Sequence, residues 1–146
     1  MRKFTAISIL LLTVLFMSCD ETKKVIDVAG NVQLTGSYDV VSLKGEKLGK
    51  TPHPTFTLSA INNSLRGTTG CNSVFGSYSI DLYAINFTDI AVSEKMCAET
   101  DVMKTERNFL DALNNSGSFT IENNTLTLFS KTDRSVLLTA KKEGNN

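Results

Sequence analysis

The side chains of this sequence best suited to nucleophilic or metal chemistry are three cysteines, Cys19, Cys71 and Cys97, and one histidine, His53. A zinc centre needs about four nitrogen or sulfur ligands. Cys71, Cys97 and His53 would supply three, at spacings that match no recognised site, so we read no metal site and no cofactor. His53 lies between Pro52 and Pro54 and reads as an exposed loop residue. A Cys–His nucleophilic pair would also need a pocket and an orienting third group. Gly67 to Gly70 has the glycines of a phosphate loop, but no Lys follows, and the setting is not strand-to-helix. Those glycines read as a tight corner. Glu94 and Glu99 could form an acid–base pair only in a shaped cleft, and acids in a Glu-Lys-Met-Cys-Ala-Glu-Thr stretch are more simply a solvated face. We therefore expect a protein without catalysis.

Cys19 has a different context. Arg2 and Lys3 precede an almost unbroken apolar run from Phe4 to Met17, and Ser18-Cys19 stands where a small residue marks a cleavage site. The run is shorter than the roughly twenty residues a helix needs to cross a bilayer. Phe16-Met17-Ser18-Cys19 resembles the lipobox of bacterial lipoproteins, with Phe16 where Leu is usual and Met17 where a small residue is usual. The resemblance implies a signal peptide over residues 1–18 and acyl chains on Cys19. A plain signal peptide with an incidental cysteine is the alternative. The expected place is the bacterial cell envelope, lipid-anchored, with inner or outer membrane and periplasmic or outer face left open by Asp20-Glu21.

Removing 18 of 146 residues leaves 128, one domain by length. The fifteen basic residues become thirteen against fifteen acidic ones. No basic stripe with interleaved aromatics remains, so nucleic acid is not an expected partner. Lys23-Lys24 reads as solvated tether, at most touching acidic headgroups. With Cys19 acylated, Cys71 and Cys97 are an even pair in an oxidising compartment. A disulfide is the leading reading; two buried free thiols and a redox pair remain as alternatives.

We divide the mature chain into a tether over residues 19–35, a domain over 36–140 and a polar tail over 141–146. Alternating segments predict strands at Ser37–Leu43, Thr55–Ala60, Ser64–Thr69, Phe75–Ile80, Tyr83–Asp89, Ser118–Glu122, Thr125–Ser130 and Ser135–Ala140. Asn62-Asn63 and Asn123-Asn124 suit hairpin turns, because Asn tolerates a left-handed backbone. Val102, Glu106, Phe109, Leu110 and Leu113 instead recur at helical spacing, which predicts a helix over Thr100–Asn115, capped by Thr100 and laid across an open end or face of the sheet. The fold class is mainly β: a small barrel or curled sheet of about eight strands with one α-helix.

Gly67-Thr-Thr-Gly70-Cys71-Asn72-Ser-Val-Phe75-Gly76-Ser-Tyr78 resembles the signature of the META/HslJ-like domain. Ile85-Asn-Phe87, Met96-Cys97-Ala98, Glu106-x-x-Phe109-Leu110-x-x-Leu113, Leu126-x-Leu128 and Leu137-Leu138 follow in the family's order. Tyr38 stands where the family often has Trp, and Met96-Cys97 lacks an intervening Ala. The resemblance spans about Gly36 to Ala140. It implies a lipocalin-like barrel with Gly70, Cys71 and Asn72 as the family motif. It implies no catalytic residue, and links to heat or envelope stress at the level of the family alone.

Two functions compete. The first is a non-enzymatic envelope module, tethered through Cys19, that binds another envelope protein through the connections Lys44–Pro54 and Ala91–Thr100. The second is a binder of a small apolar ligand inside the barrel. Phe56, Phe87, Phe119 and Leu128, expected to point inward, argue that the interior is filled.

Overall fold

The structure, a computed structural model, describes residues 30–49, 52–95, 97 and 99–144. The expected signal peptide, Cys19 and the expected tether up to residue 29 lie outside the described residues, as do Met96 and Ala98. Nine strands are described: β1 (Gly36–Leu43), β2 (Glu46–Lys47), β3 (Thr55–Ser59), β4 (Ser64–Thr68), β5 (Ser73–Asp81), β6 (Ala84–Val92), β7 (Ser116–Glu122), β8 (Thr125–Ser130) and β9 (Val136–Lys142). One long helix, α1 (Thr100–Asn115), joins β6 to β7. Every pairing is antiparallel, and β9 returns to pair with β1. Eight strands thus close a barrel, with the two-residue β2 added beside β1.

Alternation builds the wall. Phe56 and Leu58 of β3, Leu126 and Leu128 of β8, and Leu138 and Ala140 of β9 point inward, each at most 2 % exposed. Two irregularities reset that alternation. On β1 the register shifts between Val40 and Ser42, so Leu43, and not Ser42, follows Tyr38 and Val40 into the core. On β6, Asp89 has a positive φ of 55° beside a register shift against β5. Ile90 and Val92 thereby turn toward the core, and the strand runs three residues past its predicted end at Asp89. Asn123 and Asn124, both at positive φ, make the predicted two-residue turn between β7 and β8. Lys44-Gly45 makes another, between β1 and β2, that the sequence reading passed over.

The two ends of the barrel are closed differently. At the end holding the starts of β1, β4 and β6, residues 30–34 form a short helical turn that drives Leu34 into the core. Folded chain therefore begins upstream of Gly36, because a plug is needed that the strands do not supply. Asn31 fastens the turn: its Nδ2 donates to Asn63 Oδ1 (2.8 Å), and its Oδ1 accepts from the Tyr78 hydroxyl (2.7 Å). At the opposite end α1 lies across the opening and buries Val102, Glu106, Phe109, Ala112 and Leu113. Its N-cap is Glu99, without a side-chain cap bond, and Thr100 is already helical, which corrects the predicted cap.

Aromatic rings connect the plugs. Phe109 of α1 lies 5.9 Å, centroid to centroid, from Phe56, which stacks on Tyr38 at 5.3 Å. The Tyr38 hydroxyl donates to the Leu34 carbonyl at 2.7 Å. Burial, helped by the charge of Tyr78, pushes the Tyr38 pKa up to about 12, so the hydroxyl stays a donor at neutral pH. This column fills the middle of the barrel.

Candidate functional site

The helix-capped end holds His53, the Gly70-Cys71-Asn72 corner and Cys97. Thr68 to Asn72 form the corner between β4 and β5. Gly70 takes a φ of +94°, and a Cβ there would lie 2.6 Å from the Pro52 carbonyl oxygen, so only glycine fits between this corner and the loop before β3. Thr69 shapes the corner from within: its N–H donates to the Asn72 carbonyl (2.8 Å) and its hydroxyl accepts from the Asn72 N–H (2.9 Å).

Asn72, 2 % exposed, uses both ends of its amide. Its Oδ1 accepts from Ser93 Oγ (3.0 Å) and from the Lys95 N–H (2.8 Å). Its Nδ2 donates to the Lys95 carbonyl (3.3 Å) and to Glu106 Oε2 (2.9 Å). The same carboxylate oxygen accepts from the Thr69 hydroxyl at 2.5 Å. Glu106 is 7 % exposed. A buried carboxylate is tolerated only when its oxygens find donors, and here the donors come from the corner that the helix must grip. One amide and one carboxylate thus tie together the corner, the segment after β6 and α1.

A covalent tie runs parallel. Cys71 and Cys97 are disulfide-bonded, with Cα atoms 6.2 Å apart across 26 positions. Both sulfurs are committed, and no thiolate is available to His53. His53 itself is not a free-standing loop residue as expected. It is half-buried, with Nε2 2.5 Å from Asp39 Oδ1 of β1, because Pro54 is buried beneath the loop and draws its neighbour onto the wall. Lys44 adds an exposed ion pair to Asp111 of α1 at 2.7 Å. Glu94 and Glu99 are both exposed. Among the described residues no group of three or more His, Cys, Asp or Glu side chains is placed to hold a metal.

The two connections named from the sequence, Lys44–Pro54 and Ala91–Thr100, therefore meet at one rim around the Gly70-Cys71 corner. Sequence reasoning missed Glu106 as more than a helix position. Its signal was a charged residue on the apolar stripe between Val102 and Phe109. Among the described residues the arrangement is a set of ties that joins the corner, the segment after β6 and α1.

A closed antiparallel barrel with a filled interior, one end covered by a helix and an adjoining rim pinned by a disulfide, defines a small scaffold domain. The chain belongs to the META domain family, whose pattern matches residues 31–143 and which is not a known enzyme family. No curated protein sequence matches it significantly. Among solved structures it is similar to a protein from Burkholderia xenovorans determined by NMR, at 19% identity and a TM-score of 0.61, covering 81% of this chain and 89% of that one. A second NMR structure gives the same identity and TM-score over 77% of this chain and 93% of the other. A DUF4847 family protein from Bacteroides vulgatus is similar at 13% identity and a TM-score of 0.56, over 81% and 99% of the two chains. At these identities the likeness concerns the fold.

Proposed function

We propose that this protein is a lipid-anchored envelope module that acts by contact, binding another envelope protein through the rim formed by its loops 44–54 and 91–100. The observation that carries the reading is the convergence of both loops on one corner, where the Cys71–Cys97 bond and the Asn72 amide tie loop 91–100 and Pro52 of loop 44–54 packs against Gly70. A rigid, polar loop surface loses little ordering entropy when a partner docks. Acyl chains on Cys19 would supply the tether, on the strength of the apolar run and Ser18-Cys19. The competing reading, an apolar ligand inside the barrel, has no support from an interior occupied by the Phe109–Phe56–Tyr38 column.

Photocrosslinking from exposed rim positions in intact cells tests the contact. Crosslinkers at Glu94 and Pro52 should capture the same protein, and the capture should vanish in loop variants that keep Cys97 and the folded state. Rim variants that keep every captured partner would sink the reading. Loss of a bound small molecule on Phe87→Ala would install the interior ligand in its place. Intact mass of the membrane-purified protein checks the anchor, which should add acyl groups to a polypeptide beginning at Cys19.

A further inference from the structure

The end of the barrel opposite the rim carries an apolar surface that the proposed contact does not use. Six large apolar side chains stand out as exposed among the described residues, and four of them belong to this end: Val32 (64 %), Ile61 (98 %), Leu82 (40 %) and Tyr83 (73 %). Val32 sits on the helical turn of residues 30–34, Ile61 at the tip between β3 and β4, and Leu82-Tyr83 is the whole turn between β5 and β6. They are neighbours in space as well. Asn31 bonds to Asn63 beside the Ile61 tip, and Gly30 lies against the Leu82 carbonyl. An open groove of about 390 Å³ runs between the helical turn, the Leu82-Tyr83 turn and β7, lined by Gly30, Gln33, Leu82, Tyr83 and Phe119 among others.

Single exposed apolar side chains are ordinary, but several gathered at one end of a domain mark a contact surface. The charges nearby nearly cancel: Lys131 and Arg134 beside Tyr83, with Lys141 and Lys142, against Asp81, Glu122 and Glu143. An acidic or basic partner is therefore not selected. Aliphatic tips flanked by a tyrosine suit the interface of a bilayer, where tyrosine rings sit at headgroup depth.

The chain itself says what this end faces. It enters the described fold at Gly30, on this end, and Cys19 lies eleven positions earlier. Even fully extended, eleven residues reach only about 40 Å. Strands β5 and β6, nine residues each, are roughly 30 Å long. Turning the rim toward the membrane would take up about three quarters of that reach, whereas seating the Gly30 end uses little of it.

We infer that the end bearing Val32, Ile61, Leu82 and Tyr83 is a membrane-contacting face that seats the barrel on the bilayer with the disulfide rim pointing away. This rests on the lipid anchor of the proposed function. Contact is by shallow apolar insertion, so it does not depend on anionic lipid.

The protein has no tryptophan, so single Trp substitutions report each end separately. Tyr83→Trp and Ile61→Trp probe the seated face on two independent hairpins, and Glu94→Trp probes the rim. Full-length processed protein is placed in phosphatidylcholine vesicles with ordinary or brominated acyl chains. Emission from Tyr83→Trp and Ile61→Trp should shift to the blue and be lost to bromine, while Glu94→Trp keeps its emission. No quenching at either face reporter, or equal quenching at both ends, overturns the inference. Capture of a protein by a crosslinker at Tyr83, with vesicles leaving the emission unchanged, overturns it in favour of a protein partner. Intact mass is read on the same samples. A bare Cys19 removes the anchor reading, and the two-ended comparison with protein added to vesicles still decides the face on its own.

Discussion

The two ends of this barrel solve the same problem with unequal means. Each must plug an opening lined by apolar side chains. The Gly30 end uses one short turn, a single fully buried Leu34 and a few hydrogen bonds through Asn31 and Tyr38. The rim end uses a helix of sixteen residues, a buried carboxylate, a four-bonded amide and a disulfide. Burying a core needs only the first kind of closure. The second exceeds what burial requires, and the excess goes into fixing two loops relative to one another. Such investment marks the end whose shape matters.

Substitutions can break this comparison. Phe109→Ala should cost most, about 3–5 kcal/mol, because it empties the top of the aromatic column beneath a helix that cannot collapse into the gap. Denaturant unfolding with an unchanged m-value would confirm it. Replacing Cys71 and Cys97 together by Ser should cost about 3.5 kcal/mol for a loop of 26 positions. Hydrogen exchange should then quicken around Ser93–Lys95 and leave residues 30–34 unchanged. Leu34→Ala at the lighter end should cost less, about 2–3 kcal/mol, since a one-turn plug can settle into the space it leaves. A larger loss there than on removing the disulfide would invert the ranking of the two ends. Gly70→Ala should cost about 1–3 kcal/mol through strain at its positive φ and the approach to Pro52.

The smallest effect concerns the thread between the ends. Tyr38→Phe should cost about 1 kcal/mol at neutral pH by leaving the Leu34 carbonyl without its donor. The folded barrel holds the Tyr38 proton to about pH 12, whereas the unfolded chain releases it near the ordinary value of 10.0. The stability linked to this proton is therefore complete below pH 10 and is lost as pH rises toward 12. The variant should show a shallower alkaline decline in melting temperature, with Tyr78, also raised by burial, accounting for part of what remains.

Much of this was legible because alternation and helical spacing are local. Strand β8 and the span of α1 were placed to the residue, and the inward set from Phe56 to Leu128 followed from period alone. The features that escaped have long-range causes. The bulge after Val40 exists to keep β1 in register with β9 while Leu43 turns inward, which no window of sequence around Val40 reveals. Residues 30–34 look like tether because their one apolar contribution, Leu34, gains meaning only beneath Tyr38. Of the candidate site, the Gly70-Cys71-Asn72 corner was visible as a motif and its loops as candidate displays. That they share a rim depends on which strands neighbour one another. Glu106 was hidden because a carboxylate on an apolar stripe is informative only once Thr69 and Asn72 are seen to face it.

The seam between β1 and β9 sets a clock. Tyr38 pairs with Lys142 and Val40 with Ala140, so the first strand waits for the last before the cylinder can shut. Meanwhile β3 to β6 form consecutive hairpins whose partners are close along the chain and zip early. A chain emerging N-terminus first, from a ribosome or through a pore, therefore holds a half-built sheet with β1 unpaired on one side until nearly all of it has come out. An open strand edge is a template for stray association. For this protein that exposure ends only with the arrival of its final strand, and delivery in one uninterrupted passage shortens it.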